Sequence, residues 1–398
     1  MTADALSPVT DAFARAGFVR PDYGGRCLDA VLPGAAAAVC AALGLDPAPL
    51  PAGAEAARAR LALPAASRVC VVLVDGLGQE MLTERAGHAP FLRGRAAATT
   101  TLTVGYPSTT AASMGVFGTG RGPGRTGLVG YTARNPEHGG LANLVSWDGA
   151  GDASLWQREP TVFAGLTAAG AAVTSVGPAS FAGSGLTEAA LRGASYVRAE
   201  SLADRVDAAL YELSAPGLVY LYWGDVDKAG HQHGWRSSAW GDALGEADRE
   251  LGRLARGLPA GTLLLVTADH GMVDVDHARL VDVATTPALA RDVVLVAGEP
   301  RACHVHVRPG TADAVAERWR ATLGDEALVA LRDEAVDAGW FGPVADHVLP
   351  LLGDLVVAAR DRAGVVDSRT QTPHSLTLRG MHGSFTPGEM LVPLLVTG

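Results

Sequence analysis

Three aspartates and three histidines stand far apart in the chain, each beside a glycine or at the end of an apolar run. They are Asp75 in Val-Asp-Gly, Asp227 and His231 in Asp-Lys-Ala-Gly-His, Asp269 and His270 in Ala-Asp-His-Gly, and His382 in Met-His-Gly. Carboxylate and imidazole are the ligands of a borderline divalent cation such as zinc, and each ion takes roughly three protein ligands. One ion would not need six such groups; two would. Taken singly, each motif has a plainer explanation, since Asp-His-Gly is a common turn and a strand-terminal Asp is often a helix cap. Their order argues otherwise. They recur as strand, turn and helix along an α/β chain, at the carboxyl ends of strands where such folds build their sites.

The elements that must position these groups are written in the hydrophobic pattern. Residues 68–74, 217–223 and 262–267 are apolar runs of the kind that become buried parallel strands, and they run into Asp75, Asp225 with Asp227, and Asp269 with His270. A short helix is expected at 78–85 and an extended segment at 99–103. Ser108, Thr109 and Thr110 then precede a helix of small residues at 111–117 that stops at Gly118-Thr-Gly120. One hydroxyl there would serve as a helix cap; three in a row exceed what a cap requires. Further helices are expected at 161–169 and 202–213, and a strand at 172–176. A long amphipathic helix carries Trp240, Leu244, Ala247, Leu251 and Leu254 on one face.

Residues 273–344 lack these motifs and alternate short strands (293–296 and 304–307) with helices, which marks an inserted α/β subdomain. His304 and His306 alternate on one strand face there, and structural histidines are the commoner outcome of such a pair. The chain is expected to rejoin the main sheet at 354–358, reach His382, and end in a strand at 390–397. The architecture expected is thus an α/β fold, a mostly parallel central sheet flanked by helices. Residues 1–272 and 345–398 form its catalytic domain, and 273–344 the insert.

Composition narrows the partners. The formal net charge is −10 over 398 residues, with no basic stripe for a nucleic-acid backbone, which argues against duplex binding. Cys27, Cys40, Cys70 and Cys303 are widely spaced without a Cys-x-x-Cys pair and read as buried free thiols of a reducing compartment. The start of the chain shows no secretory pattern. The Ala-rich stretch 28–45 carries Asp29 and Pro33 and has helical spacing at Val31, Ala35, Val39 and Leu43. We expect it to be a surface-packed helix and not a membrane span. A cytoplasmic enzyme acting on a small molecule is the expectation, with oligomeric state left open.

In motif order, from about residue 68 to the C-terminus, the chain resembles the alkaline phosphatase superfamily, and within it the type I phosphodiesterase and nucleotide pyrophosphatase family. The resemblance implies a first metal held by Asp227, His231 and His382. It implies a second metal held by Asp75, Asp269, His270 and the oxygen of the nucleophile. Zinc is the first expectation for both ions and manganese the second. Members of the superfamily tend to place a Thr-Gly pair nine and ten residues after the nucleophile. Counting back from Gly120 gives Thr110, with Thr109 the alternative. Relatives carry an Asn shortly after the nucleophile helix, where the similar stretch here ends in Tyr131, and an aromatic residue directly after the nucleophile, where Ala111 stands. The Cys-x-Pro-x-Arg pattern of sulfatases does not occur at the nucleophile.

The chemistry implied is in-line displacement at phosphorus. A free Thr hydroxyl is a weak nucleophile at neutral pH, so coordination would activate it, and a helix start at Thr110 adds backbone N–H groups for a phosphoryl oxygen. A phospho-threonyl or nucleotidyl-threonyl intermediate follows, hydrolysed with net retention. The main expectation is a phosphoric diester hydrolase. A phosphomonoesterase or phosphonate hydrolase, or a silent metal- or nucleotide-binding protein, are the alternatives. Asp225 and His233 could orient ligands, or be solvated. Tyr131, Trp147 and Trp156 could line a pocket for a base or aryl group, or pack in the core.

Overall fold

The computed structural model describes residues 8–398. Eleven strands carry the two larger sheets: β1 (Arg68–Val74), β2 (Thr99–Thr103), β3 (Val173–Gly177), β4 (Ser195–Arg198), β5 (Gly217–Trp223), β6 (Thr262–Thr267), β7 (Val293–Glu299), β8 (Ala302–Val307), β9 (Ala327–Leu331), β10 (Leu355–Ala359) and β11 (Leu391–Thr397). Four helices matter for the site: α1 (Val31–Leu43), α2 (Thr110–Thr119), α3 (Asp225–His233) and α4 (Ser238–Gly257).

The main sheet runs in the order β2-β11-β6-β1-β5-β3-β4. Its five strands from β6 to β4 are parallel, and β11 pairs antiparallel with both β6 and β2. The run Arg-Val-Cys-Val-Val-Leu-Val makes β1 its centre, because a strand covered on both faces must be apolar at every position. Register then does the assembling. Leu73 lies opposite Tyr222 on one side and Thr267 on the other, so the chain leaves β1, β5 and β6 at one edge of the sheet. The residues that follow, Asp75, Asp227, Asp269 and His270, therefore converge although up to 195 positions separate them.

Expected and observed elements agree to within a few residues for β1, β2, β3, β5, β6, β11 and the helices over 78–85, 161–169 and 202–213. Helix α4 buries Trp240, Leu244, Ala247, Leu251 and Leu254, as its periodicity requires. Two expectations are corrected. Helix α1 is not surface-packed: Val31 through Cys40 are all buried. Its alanines and Gly34 let it lie within the core, and a Cβ on Gly34 would meet the Arg58 backbone at 3.1 Å. The second correction concerns 354–358, expected in the main sheet. Strand β10 instead pairs antiparallel with β8 and β9 in a separate four-stranded sheet, β7-β8-β10-β9. An apolar run states that a strand will be buried and is silent about which sheet takes it.

This second sheet has its own core, which includes Trp319, Leu289, Val305 and Leu355. Its β7–β8 hairpin turns at Pro300-Arg301 and reaches the main domain. There the Arg301 guanidinium donates to both carboxylate oxygens of Glu389, at 3.0 and 2.7 Å, with both side chains fully buried.

Candidate metal centre and active site

The turn after β1 is built around Gly76, at φ +71°, where a Cβ would lie 2.8 Å from the Asp227 Cβ. Only glycine combines that backbone conformation with so close an approach. The turn aims Asp75 across the sheet edge toward the motif after β6, and the Gly76 N–H donates to Asp269 Oδ1 at 3.1 Å. Asp227 and His231 lie on α3, one turn apart on one face, with His231 Nε2 3.3 Å from Asp227 Oδ2. His382 follows the two-residue strand Gly380–Met381, which pairs with Val273–Asp274. Its ring stacks on that of His270, with centroids 3.6 Å apart.

All seven residues expected from the sequence, Asp75, Thr110, Asp227, His231, Asp269, His270 and His382, meet in this one place. His382 Nε2 lies 3.2 Å from His231 Nε2 and 3.9 Å from Asp227 Oδ1. His270 Nε2 lies 3.4 Å from Asp75 Oδ1, 3.5 Å from Asp269 Oδ2 and 3.2 Å from the Thr110 hydroxyl. Among the described residues two groups are compact enough to hold an ion, Asp227 with His231 and His382, and Asp75 with Asp227 and His270. Asp227 therefore faces both, where the sequence suggested it would serve one. Asp269 stands beside the second group.

The hydrogen bonds around the three imidazoles settle which nitrogen is bare. Nδ1 of His231 faces the Gly380 carbonyl at 2.7 Å, Nδ1 of His270 the Gly271 carbonyl at 3.0 Å, and Nδ1 of His382 the Ser108 carbonyl at 3.0 Å. A carbonyl only accepts, so each Nδ1 carries the proton and donates, leaving Nε2 with its lone pair. Three bare nitrogens thus point at the carboxylates and, for His231 and His382, at each other. Asp75 Oδ1, Asp227 Oδ1 and Asp269 Oδ2 are buried without a hydrogen-bond partner. Lone pairs facing lone pairs in a buried site is costly unless cations lie among them, and the donor set fits divalent metal.

The electrostatics agree. Burial, and after it the charges of Asp269 and Asp227, push the Asp75 carboxyl well above the usual carboxylate range. Burial likewise raises Asp269, against the opposing pull of His270. Burial and then the neighbouring His270 and His231 hold His382 well below the ordinary imidazole value. Each shift disfavours the form that carries its own charge, as expected where positive charge has to come from elsewhere.

The three hydroxyls before α2 have different fates. Ser108 is buried and donates to the Ser384 carbonyl at 2.6 Å. Thr109 is buried at the cap position without capping the helix. Thr110, the first residue of α2, is partly exposed and is the one that faces His270. Of the flanking residues, Asp225 and His233 are exposed to solvent. Trp156 is buried with its Nε1–H on the Gly127 carbonyl, and Trp147 packs edge-on against it, so both serve the core. Tyr131 remains 45% exposed. His304 and His306 lie in the second sheet and join no metal-capable group among the described residues. The four cysteines are buried and unpaired.

Sequence reasoning missed Tyr222, whose hydroxyl donates to Asp75 Oδ2 at 2.5 Å, and Phe181, 41% exposed and packed against the Tyr222 ring. Strand parity could have found Tyr222, since it lies opposite Leu73, two residues before Asp75. Phe181 ends a three-residue 3-10 turn, Ala179–Phe181, too short to leave a periodic signal.

The family model described as type I phosphodiesterase / nucleotide pyrophosphatase matches residues 69–385. Human ectonucleotide pyrophosphatase/phosphodiesterase family member 5 is 36% identical over 70 residues, which are 16% of this chain and only 15% of the human protein. Murine ectonucleotide pyrophosphatase/phosphodiesterase 5 is similar in structure, with a TM-score of 0.65 at 17% identity, covering 83% of this chain and 88% of that one. Phosphonoacetate hydrolase from Sinorhizobium meliloti, in complex with phosphonoformate, gives 0.64 at 20%, covering 83% and 89%. Those two likenesses establish the fold, the alkaline-phosphatase-like arrangement of sheet and helices. With the family match spanning most of its length, the chain belongs to the type I phosphodiesterase / nucleotide pyrophosphatase family.

Proposed function

We propose that the protein is a two-metal phosphoric diester hydrolase that works through a phospho-threonyl intermediate on Thr110. The observation that carries this reading is the placement of Thr110 Oγ1 3.2 Å from His270 Nε2, beside three buried carboxylate oxygens without partners. Asp227, His231 and His382 would hold one ion; Asp75, Asp269, His270 and Thr110 the other, with Asp227 near both. The mix of three imidazoles and three carboxylates suits Zn2+ first and Mn2+ second. When bound, the ions supply positive charge that lowers the hydroxyl pKa and offsets charge on the attacking and departing oxygens.

The chain's own residues do the rest. Thr110 stands at the start of a ten-residue helix, so its oxygen is held in place while free N–H groups of the first turn offer donors to a non-bridging phosphoryl oxygen. Attack forms the Oγ–P bond as the ester P–O bond breaks, and the leaving alcohol departs on the opposite side. Water then reverses the displacement and releases Thr110, with retention at phosphorus. Tyr222 fixes the Asp75 carboxylate, and the Nδ1–H bonds fix all three rings.

Charge favours diesters. A monoester carries an additional anionic oxygen that needs a cationic partner. Helix α2 contains no basic residue, and the next two, Arg121 and Arg125, pair with Glu159 beyond its far end. Tyr131 and Phe181 stand exposed for an organic group. A nucleotide ester fits this reading, and one structure of the murine neighbour, an inactive variant, is in complex with AMP. Phosphonate hydrolysis is the second reading, favoured by the near-equal likeness to phosphonoacetate hydrolase.

The test is steady-state kinetics with defined metals on bis-(p-nitrophenyl) phosphate, p-nitrophenyl phosphate and phosphonoacetate. We expect kcat/KM to favour the diester by about tenfold or more over the monoester, the value of one missing charge-assisted contact of ~1.5–3 kcal/mol. A clear monoester or phosphonate preference would overturn the diesterase assignment.

A further inference from the structure

The second sheet contains none of the seven residues of the candidate metal centre, yet its β7–β8 hairpin holds residues 129–132 and lies against Gly383, the residue after His382. Residues 129–132, which lead into the short hairpin formed by Thr132–Arg134 and Leu141–Asn143, are held from β7 and β8 by four hydrogen bonds. The Thr132 hydroxyl donates to the Gly298 carbonyl at 2.9 Å and accepts from the Gly298 N–H at 3.0 Å. His304 Nε2 donates to the Val129 carbonyl at 2.9 Å. Glu299 Oε2 accepts the Tyr131 N–H at 2.6 Å.

The same Glu299 side chain lies against Gly383, the residue after His382. A Cβ on Gly383, whose φ is +136°, would come within 2.8 Å of Glu299 Cγ and Oε1. Two residues beyond Glu299, Arg301 pairs with Glu389, whose Oε1 accepts the Ser384 N–H at 3.1 Å. The hairpin tip thus joins the exposed Tyr131 to the loop that presents His382.

We propose that Glu299 is a positioning residue: its carboxyl sets the Tyr131 backbone against the Gly383 loop, so that the Tyr131 ring forms a fixed wall for the organic group of the substrate. Glu299 touches no metal-ligating residue and is only 7% exposed, so it acts through Tyr131 and not on the reacting atoms. Burial, with Glu389 nearby, pushes the carboxyl up to about 8, so the group is largely neutral at pH 7 and glutamine is its matched replacement. Glutamine keeps an acceptor at the same reach. Aspartate is one methylene shorter and withdraws it from the Tyr131 N–H.

The inference rests on the diesterase reading, and the experiment separates the two. Unaltered protein, Glu299→Gln and Glu299→Asp are prepared as full chains with metal, and kcat and KM are measured on bis-(p-nitrophenyl) phosphate and methyl p-nitrophenyl phosphate. We expect Glu299→Asp to raise KM for the bis-aryl ester by about tenfold, with a smaller change for the methyl ester, nearly constant kcat and full metal content. Glu299→Gln should recover most of that loss. In a Tyr131→Ala background the Glu299→Asp effect on KM should vanish, because the wall it positions is gone. If Glu299→Asp and Glu299→Gln share the unaltered KM, or if kcat and metal content fall while KM stays, the positioning role is overturned and the diesterase reading survives. If the unaltered protein turns over no diester, both fall together.

Discussion

His270 and His382 stack at the edge of the main sheet, while His304 and His306 sit two residues apart on β8 of the second sheet. All four are buried. What differs is what each ring nitrogen faces. His304 is satisfied on both sides by backbone, donating to Val129 and accepting from Gly353 at 3.2 Å. Burial holds its pKa down to about 4, and burial together with His304 holds His306 to about 3. At the sheet edge, by contrast, one nitrogen of each ring donates to backbone and the other is left bare before carboxylates. Burial therefore does not mark a metal ligand. What sets the proposed ligands apart is a bare nitrogen beside carboxylate oxygens that also lack partners.

The largest effect expected from this difference is on turnover. Thr110→Ala should fold, keep most of its metal, and lose kcat by about a thousandfold or more, because positioning alone does not replace the nucleophile. Thr109→Ala should be milder. Were the two reversed, the nucleophile would be Thr109, and the orientation of Thr110 toward His270 would be incidental.

A second substitution pair separates the two histidine sites. Asp227→Asn, altering the group that faces both ion positions, should lower bound metal, as measured by elemental analysis, while the fold persists. His304→Ala should keep its metal but lose about 2–4 kcal/mol of stability in denaturant unfolding, from a cavity and two buried backbone groups left unpaired. Metal loss from His304→Ala would erase the distinction drawn between the sites.

The smallest effect is on stability against pH. Asp75 and Asp269 have raised pKa values in the metal-free fold, so their contribution is present below the unfolded carboxylate value near 4 and is lost as pH rises through the folded value. His382, lowered, works in the opposite sense but only below about 6.5, the unfolded imidazole value. Above that pH the carboxyls alone remain. The Tm of metal-free protein should therefore fall behind that of the metal-loaded protein as pH is raised from about 4 through the raised Asp75 and Asp269 values, with His382 opposing this only below about 6.5, and Glu299, common to both forms, largely cancels in the difference. Parallel curves would mean that burial, and after it the neighbouring carboxylates, does not hold Asp75 and Asp269 protonated.

Much of this was legible in the sequence, for reasons that differ by residue. Strands β1, β5 and β6 are each long apolar runs ending at a motif, so both their existence and their common edge follow from pattern plus parallel pairing. Asp75, Asp269 and His270 inherit their place from that. Helix α3 is less legible: Asp225–His233 has few apolar residues, and although its motif marks Asp227 and His231 as candidate ligands, their grouping rests on the resemblance, which does not reveal that Asp227 faces both groups. The partner of β10 and the burial of α1 depend on contacts across the fold, which local periodicity does not encode. Tyr222 follows from parity once β1 and β5 are paired in register, whereas Glu299 is legible only when neighbouring segments are in position.

The central claim is that one cluster holds two ions and that both are needed. Protein stripped with chelator should regain kcat on bis-(p-nitrophenyl) phosphate as Zn2+ is returned, with activity reaching its plateau at two equivalents per chain. Full activity at one equivalent, or without added metal in the stripped protein, would contradict it.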